Sequence, residues 1–402
     1  MRRLRTASTR RLSAILAIAS VLAITAAVAQ GALSGSGPTA APKALANALF
    51  DITKAPEADG FKADIHFTNN LLPSGSLPDG TASPLVSGAD GRLWIQKSGA
   101  FRLELKSDMG DAQIVSNDNK VTVYDASSNA VYRMTLPDDA KDAAKPAERD
   151  EKLTLAKVQG ALDELAKTWT VSGADPDQPV ADRPTYTVKI SPKDDGGLLG
   201  AAEVAWDAVR GAPLRAAIYA QGKSEPVLEL KATNVSYDAV ADSDVRITPP
   251  ADAKVTDLSP DDVKRDGKEH ASKGKQESVT GVAAVQKRVG FKLAVPAKLA
   301  GLPRKDVRFV TVNGEKSALT IYGEGFGAIA VLQHRADKAE PSKDSGEDDG
   351  LTLPEINIDG ATGTELATAL GTVVTFERDA IKYVVAGSVP PAAAENAARG
   401  LK

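Results

Sequence analysis

Between Gly88 and Pro137 the chain alternates in short runs. Phe101, Leu103 and Leu105 are interleaved with Arg102, Glu104 and Lys106. Side chains of an extended chain point to opposite faces in turn, so this spacing predicts a strand with one apolar and one charged face. Polar or glycine-bearing breaks at Ala89-Asp90-Gly91, Ser98-Gly99, Met109-Gly110-Asp111, Asn117 to Asn119 and Ser127-Ser128-Asn129 punctuate the runs. The stretch therefore reads as an antiparallel meander with one apolar face. What covers that face is the question the rest of the chain must answer.

Upstream, Leu45, Leu49 and Ile52 fall on one side of a short amphipathic helix. Phe61 to Thr68 alternates as a strand with Phe61, Ala63, Ile65 and Phe67 on one face. His66 shares the other face with Lys62 and Asp64, which predicts a solvated histidine. Downstream, Val158, Leu162, Leu165 and Trp169 recur at helical spacing. Strands resume at Thr185 to Ser191, Ala201 to Asp207, Leu214 to Ala220, Val227 to Ala232 and Ser236-Tyr237, with a turn over Asp207 to Pro213. The pattern predicts a large antiparallel sheet whose few helices lie on its apolar face.

Ala251 to Ser278 is polar, mixed in charge and without apolar period, as a linker is. A second unit then begins. Helices are expected at Val282 to Val289, Gly363 to Leu370 and after Pro390-Pro391, where proline suits a first turn. Strands are expected at Phe291 to Pro296, Val307 to Asn313, Ala318 to Tyr322, Ala328 to Gln333, Thr372 to Glu377 and Lys382 to Ala386. Arg335 to Gly350 reads as an acidic-leaning loop. The expected organisation is residues 1–40 as export segment and spacer, 41–258 as a half-barrel domain, 259–278 as linker and 279–402 as a smaller domain. The fold class is α+β, a large curved antiparallel sheet roofed by helices plus a smaller α+β unit.

Composition narrows the chemistry. The chain has no cysteine, which removes disulfides, thiolate metal sites and cysteine catalysis. Its three histidines, His66, His270 and His334, form no local ligand motif, so no metal or other cofactor is expected. A net charge of −4 and the lack of aromatic-interleaved basic runs argue against nucleic acid. No G-x-S-x-G elbow or H-E-x-x-H motif is present, and Gly323-Glu324-Gly325-Phe326-Gly327 lacks the context of a phosphate loop. An enzyme is not expected. Arg2, Arg3, Arg5, Arg10 and Arg11 precede an apolar run from Leu12 to Ala29 that ends on Ala27-Val28-Ala29. That is the layout of an export signal, either cleaved or retained as a membrane anchor.

GRLWIQKSGAFRLEL followed by QIVSNDNKVTVYD resembles the core of the bacterial lipoprotein-carrier superfamily (LolA/LolB-like). Gly91, Leu93, Ile95, Gly99, Phe101, Arg102, Ser116, Lys120, Tyr124 and Asp125 carry the match, and WDAVRGAPLRAAIY resembles its final strand pair. Ser98 stands where the pattern has proline, and Asn117-Asp118-Asn119 where it has an Asp-Gly turn. The C-terminal part, through Val384, Val385, Gly387, Val389 and Pro390, is similar to the C-terminal domain of RseB/MucB-type proteins. The first resemblance implies a curved half-barrel whose concave face holds lipid or lipoprotein acyl chains. The second implies a sensor of envelope stress that binds a membrane anti-sigma factor.

Two functions stay open on this reading. One is a non-enzymatic cell-envelope protein that binds lipid or lipoprotein in an apolar cavity, and the other is a regulator docking on an anti-sigma factor. The cavity candidates are Ile65, Phe67, Leu93, Phe101, Leu103 and Leu105. Trp94 has the opposite parity to Leu93, and Leu93 is expected to face inward.

Overall fold

The computed structural model describes residues 39–73, 83–108, 110–117, 120–135, 154–193, 197–258, 279–312, 315–336 and 353–402. The export segment, residues 259–278 of the linker and most of the acidic-leaning loop lie outside the described residues. Among the described residues no helix is long and apolar enough to cross a membrane.

Six strands make the first meander: β1 (Gly60–Asn69), β2 (Ala89–Gln96), β3 (Phe101–Leu105), β4 (Ala112–Asn117), β5 (Lys120–Asp125) and β6 (Ala130–Thr135). A second set follows: β7 (Trp169–Val171), β8 (Asp175–Val180), β9 (Arg183–Pro192), β10 (Leu199–Asp207), β11 (Pro213–Ala220), β12 (Pro226–Ser236) and β13 (Lys254–Leu258). β1 joins the two sets, pairing antiparallel with β2 on one side and with β12 on the other. The thirteen-stranded sheet runs β13-β6-β5-β4-β3-β2-β1-β12-β11-β10-β9-β7, with β8 also on β9. β13, in a stretch that reads as linker from composition, adds in parallel to β6. The β8–β9 hairpin turns on Ala181 and Asp182, with φ of 50° and 57°, the left-handed pair that matches strand twist.

Three helices accompany this sheet: α1 (Leu45–Ile52), α2 (Pro84–Ser87) and α3 (Leu155–Leu165). Leu45, Leu49 and Ile52 of α1 pack on Tyr186, Val188, Val204 and Trp206 of β9 and β10, and α3 packs on α1. Leu85 of α2 lies against the β1–β2 part of the same face. Trp169 is not the last turn of α3, as its spacing predicts. After Leu165 the chain tightens, Lys167 N–H bonding Glu164 O and Thr168 N–H bonding Leu165 O. The aromatic and β-branched Trp169, Thr170 and Val171 then pair with β9 as β7.

The C-terminal sheet contains β14 (Lys298–Leu299), β15 (Leu302–Val312), β16 (Glu315–Tyr322), β17 (Ile329–Arg335), β18 (Glu355–Ile358), β19 (Ala361–Thr368), β20 (Gly371–Arg378) and β21 (Ile381–Gly387). Their order is β14-β15-β16-β17-β21-β20-β19-β18. Helices α4 (Val282–Val289) and α5 (Pro391–Arg399) cover one face and supply Val285, Val289, Ala394, Ala397 and Ala398 to the core.

Two expectations fail here. Residues 363–370 belong to strand β19 and the turn after it, not to a helix. Asp359 and Gly360, with φ of 50° and 88°, turn β18 back into β19, and Thr362, Thr364 and Thr368 favour the extended chain. Phe291 to Pro296 is extended but joins no sheet, because side-chain amides take the place of a neighbouring strand. Gln333 bonds both the N–H and the C=O of Ala294 at 2.9 Å, and Gln286 accepts from Leu293 N–H at 2.9 Å while donating to Phe291 O.

The two sheets meet at the β9–β10 turn. Leu198 N–H reaches Ser388 O at 3.1 Å and Ser388 Oγ at 3.0 Å, and Ala369 N–H bonds Leu71 O at 2.8 Å. The ring of Trp169 meets Phe326 edge-on at 5.5 Å. Gly197 has φ of +62°, and a Cβ there would lie 2.2 Å from Ser388 O, so this close approach requires glycine.

Candidate apolar binding face

Strand register decides which side chains share a face. Across β1 to β6 one row of directly paired residues is Ala63, Leu93, Leu103, Ile114, Val123 and Tyr132. The neighbouring row is Phe61, Ile95, Phe101, Ser116, Val121 and Met134. On the far side of β1 the face continues through Phe67 paired with Leu230, Leu230 with Ala216, Ala216 with Val204 and Val204 with Val188. Val188 and Val204 are residues on which α1 sits, so the apolar rows and α1 occupy one side of the sheet.

The six candidate residues all lie on this side. Ile65, Leu93 and Leu105 are buried, while Phe67, Phe101 and Leu103 are partly buried against the same cluster. Ile65 and Leu105 flank Gly91 in the register. A Cβ on Gly91 would fall 2.0 Å from Glu104 O, so any larger residue would push β2 away from β3. Trp94 points to the other side, packing with Ala100, Val240 and Val245, with the Arg102 guanidinium 5.3 Å from its ring.

Cover is uneven along the face. Over β9 and β10 it is provided by α1. In the middle, β1, β2, β11 and β12 close around a hollow of about 30 Å³ lined by Phe61, Ala63, Ile65, Leu93, Leu214 and Ala232. That volume is one water's share of liquid, against about 300 Å³ or more for a ligand pocket. The buried centre is thus filled by side chains. Over β4, β5 and β6 no described helix makes more than marginal contact. Ile114, Val121 and Val123 are half-buried, and Tyr132 and Met134 at the end of the rows are 42% and 38% exposed.

A polar cluster closes the Phe61 end. Asp207 is fully buried. Its Oδ2 accepts from Arg183 Nε and from Tyr237 Oη, both at 2.7 Å, and its Oδ1 accepts from the N–H groups of Val209 at 2.7 Å and Arg210 at 3.0 Å. The carboxylate holds the β10–β11 turn in shape and anchors Arg183. The Tyr237 ring lies 5.8 Å from Phe61, with the guanidinium of Arg183 at 5.7 Å and that of Arg210 at 5.2 Å. Burial first, then the negative charge of Asp207, push the Tyr237 hydroxyl far above the ordinary tyrosine value, so it stays protonated and donates.

The opposite, outer face is a charge lattice. Arg215 donates to Glu229 at 2.5 Å and to Glu203 at 3.0 Å, and Tyr219 donates to Glu203 at 2.7 Å. His66 lies on this face, its Nδ1 2.7 Å from Asp90, more than half exposed as expected. Among the described residues no group of three His, Asp or Glu side chains could hold a metal ion.

No family model matches the chain, and a search of curated proteins finds no match. Among solved structures it is similar to the crystal structure of MucB in complex with MucA(peri), at 15% identity and a TM-score of 0.40, covering 89% of this chain and 96% of that one. The complex of Pseudomonas aeruginosa MucA/MucB gives 15% identity and a TM-score of 0.40 over 88% of this chain and 94% of that one. A putative outer membrane lipoprotein-sorting protein domain from Vibrio parahaemolyticus gives 8% identity and a TM-score of 0.14 over 46% of this chain and 89% of that one.

The residues that sequence reasoning did not single out are Ile114, Val121, Val123, Tyr132 and Met134, and the Arg183, Asp207, Arg210 and Tyr237 cluster. Period-two alternation in KVTVYD and AVYRMT carried a signal for the first group. The cluster is assembled only by the fold.

Proposed function

We propose that the chain is a non-catalytic cell-envelope protein that holds an acyl chain, of a lipid or a lipoprotein, against the apolar rows of the large sheet. The observation that carries this reading is the run Leu103, Ile114, Val123 and Tyr132, which continues the buried core outward with no described helix over it. Isolated exposed apolar residues are ordinary, whereas a contiguous apolar strip is a binding surface. The absence of catalytic motifs in the sequence and the export layout of its N-terminus support the non-catalytic, envelope part of the reading. The test is mass spectrometry of ligands copurifying with the full chain, together with titration of a fluorescent hydrophobic probe. Recovery of acyl-chain ligands and saturable probe binding are expected. Protein that carries no lipid and binds no probe rules the reading out.

A second reading is a regulator that docks on a membrane-bound anti-sigma factor. It rests on the resemblance through Val384, Val385, Gly387, Val389 and Pro390. MucB has been crystallised with MucA(peri), and a partner of that kind is what this reading assigns to the present chain. Pull-down from envelope extracts with the full chain is expected to recover a regulatory membrane protein. Recovery of none counts against it. The two roles are compatible in one molecule.

A further inference from the structure

Helices α4 and α5 cover one face of the C-terminal sheet, and its other face is apolar as well. Ala318-Leu319-Thr320-Ile321-Tyr322, Ile329-Ala330-Val331-Leu332 and Tyr383-Val384-Val385-Ala386 do not alternate between apolar and charged positions. Unbroken runs of this kind belong to strands buried on both faces. The register sorts them. Thr320, Val331, Val385 and Val374 form one row on the helix side and are fully buried. On the opposite side Leu319 pairs with Leu332 and Leu332 with Val384. In the next row Ile321 pairs with Ala330, Ala330 with Ala386, Ala386 with Val373 and Val373 with Leu366. These outer side chains are half-buried and belong to no buried cluster. Apart from their sheet neighbours, these strands make more than marginal contact only with α4 and α5, which lie on the other side.

We propose that two copies of this chain pair through this outer face, sheet against sheet, about a two-fold axis. The inference concerns the C-terminal sheet and does not depend on the acyl-chain reading. The width of the face selects the occupant. Its apolar positions span the neighbouring strands β16, β17, β21, β20 and β19, and interstrand steps of about 4.8 Å make this about 19 Å. A helix is about 10 Å across and an added peptide strand is narrower, so either would leave much of the face bare. A second sheet packs face to face about 10 Å away and covers every strand.

Charge favours a copy of the same face. Arg308 at one edge is bonded to Asp306, Nε to Oδ2 at 2.6 Å, and Lys382 at one end stands opposite Glu377 in the register. Each of these rim charges has its opposite beside it, so two such faces meet without like charge between them. The same patch on both copies closes the assembly as a dimer. With its rim the face offers roughly 500 Å² per copy. A total of roughly 1,000 Å² is the lower bound of a specific interface, so the dimer exchanges with monomer, with a Kd on the order of 10 μM.

The experiment is sedimentation velocity on the full chain across a concentration series. Monomer well below the Kd and dimer about tenfold above it are expected. Leu332→Lys sets a charge into the face and is expected to weaken pairing about tenfold or more. Its melting should follow the parent's, because Leu332 lies outside the buried cluster. The chain has no cysteine, so Thr375→Cys, paired opposite Val384, places a single thiol on the face. Its reaction with a maleimide should slow several-fold as protein concentration rises through the Kd. Ser116→Cys, on the larger sheet, should react at one rate throughout. The thiol readout decides the matter even where Leu332→Lys fails to fold.

Monomer at every concentration overturns the proposal. So does a dimer that Leu332→Lys leaves unchanged. A Thr375→Cys thiol that reacts equally in monomer and dimer overturns it too, because the copies then meet elsewhere. Slowing at Ser116→Cys in place of Thr375→Cys puts the contact on the larger sheet and has the same consequence.

Discussion

The two sheets solve the same burial problem differently. In the C-terminal unit, α4 and α5 close over the sheet, and its core is one continuous cluster in which Val285, Ala318, Tyr322, Val331, Val385 and Leu401 are fully buried. The larger sheet has more strands and less cover. Its buried residues divide into separate clusters, one under α1, one around β1 and β2, and smaller ones elsewhere. A helix can shield only the few strands it crosses, so a wide curved sheet with short helices keeps part of its apolar face open. The smaller unit closes its core under two helices, and the larger sheet leaves part of its apolar face without a described helix over it.

The comparison can be broken most directly at the polar anchors that substitute for missing cover. Asp207→Ala removes a fully buried carboxylate and leaves Arg183, Tyr237 and two backbone N–H groups without their acceptor. A destabilisation of about 3 kcal/mol is expected in urea unfolding, the range for breaking a buried pair from one side. A loss below about 1 kcal/mol would mean that solvent already reaches the site.

In the smaller unit the counterpart is Gln333, fully buried and bonded twice to Ala294. Gln333→Leu strands a buried N–H and C=O of the Phe291 to Pro296 segment, and about 2 kcal/mol of stability should go with them. Substitution without measurable cost would show that Leu293 and Phe291 packing and the Gln286 hydrogen bonds hold the segment without Gln333.

Much of the larger sheet was legible in the sequence because strands have a fixed two-residue period. Phe61, Ala63, Ile65 and Phe67, like Phe101, Leu103 and Leu105, declare one face by parity, and the observed register joins them. The failures came where another device replaced periodicity. Residues 363–370 have no strict period, and what makes them a strand is the Asp359-Gly360 turn ahead of them. Phe291 to Pro296 looks like a strand because it is extended, but its partners are glutamine side chains 39 residues away and five to seven residues away in the chain. Arg183 and Tyr237 meet Asp207 across 24 and 30 residues, a separation that no local pattern encodes. Which strands α1 covers depends on how the sheet curves, and α1's own residues do not state it.

The open strip sharpens the comparison through a change with little thermodynamic weight. Tyr132→Ser with Met134→Ser alters two side chains that are 42% and 38% exposed at the end of the apolar rows. Stability should change by no more than about 0.5 kcal/mol per site, as for surface positions. Binding of a hydrophobic probe should fall several-fold over the same variants. A large loss of stability with unchanged binding would place the strip in the core and take the ligand elsewhere.

The smallest expected effect lies in the C-terminal unit and depends on pH. Glu365 on β19 has a buried Oε2 without a hydrogen bond among the described residues, and Glu395 of α5 is the negative charge that acts on it. Burial first, and then Glu395, raise the Glu365 carboxyl above its ordinary value of 4.5. For an acid whose folded value is raised, the folded state binds the proton more tightly than the unfolded chain does. Its favourable contribution is therefore complete below the ordinary glutamate value and is lost as pH rises through the folded value. Glu365→Gln keeps the shape and removes the charge, so variant and parent should melt together near pH 4, with the variant slightly higher near pH 7. Glu365 is half-buried rather than enclosed, and solvent screening keeps the gain small. A difference that shrinks toward neutral pH would mean that Glu365 has a cationic partner when the protein is folded. The closed unit would then be pinned by charge as the Asp207 cluster pins the open one.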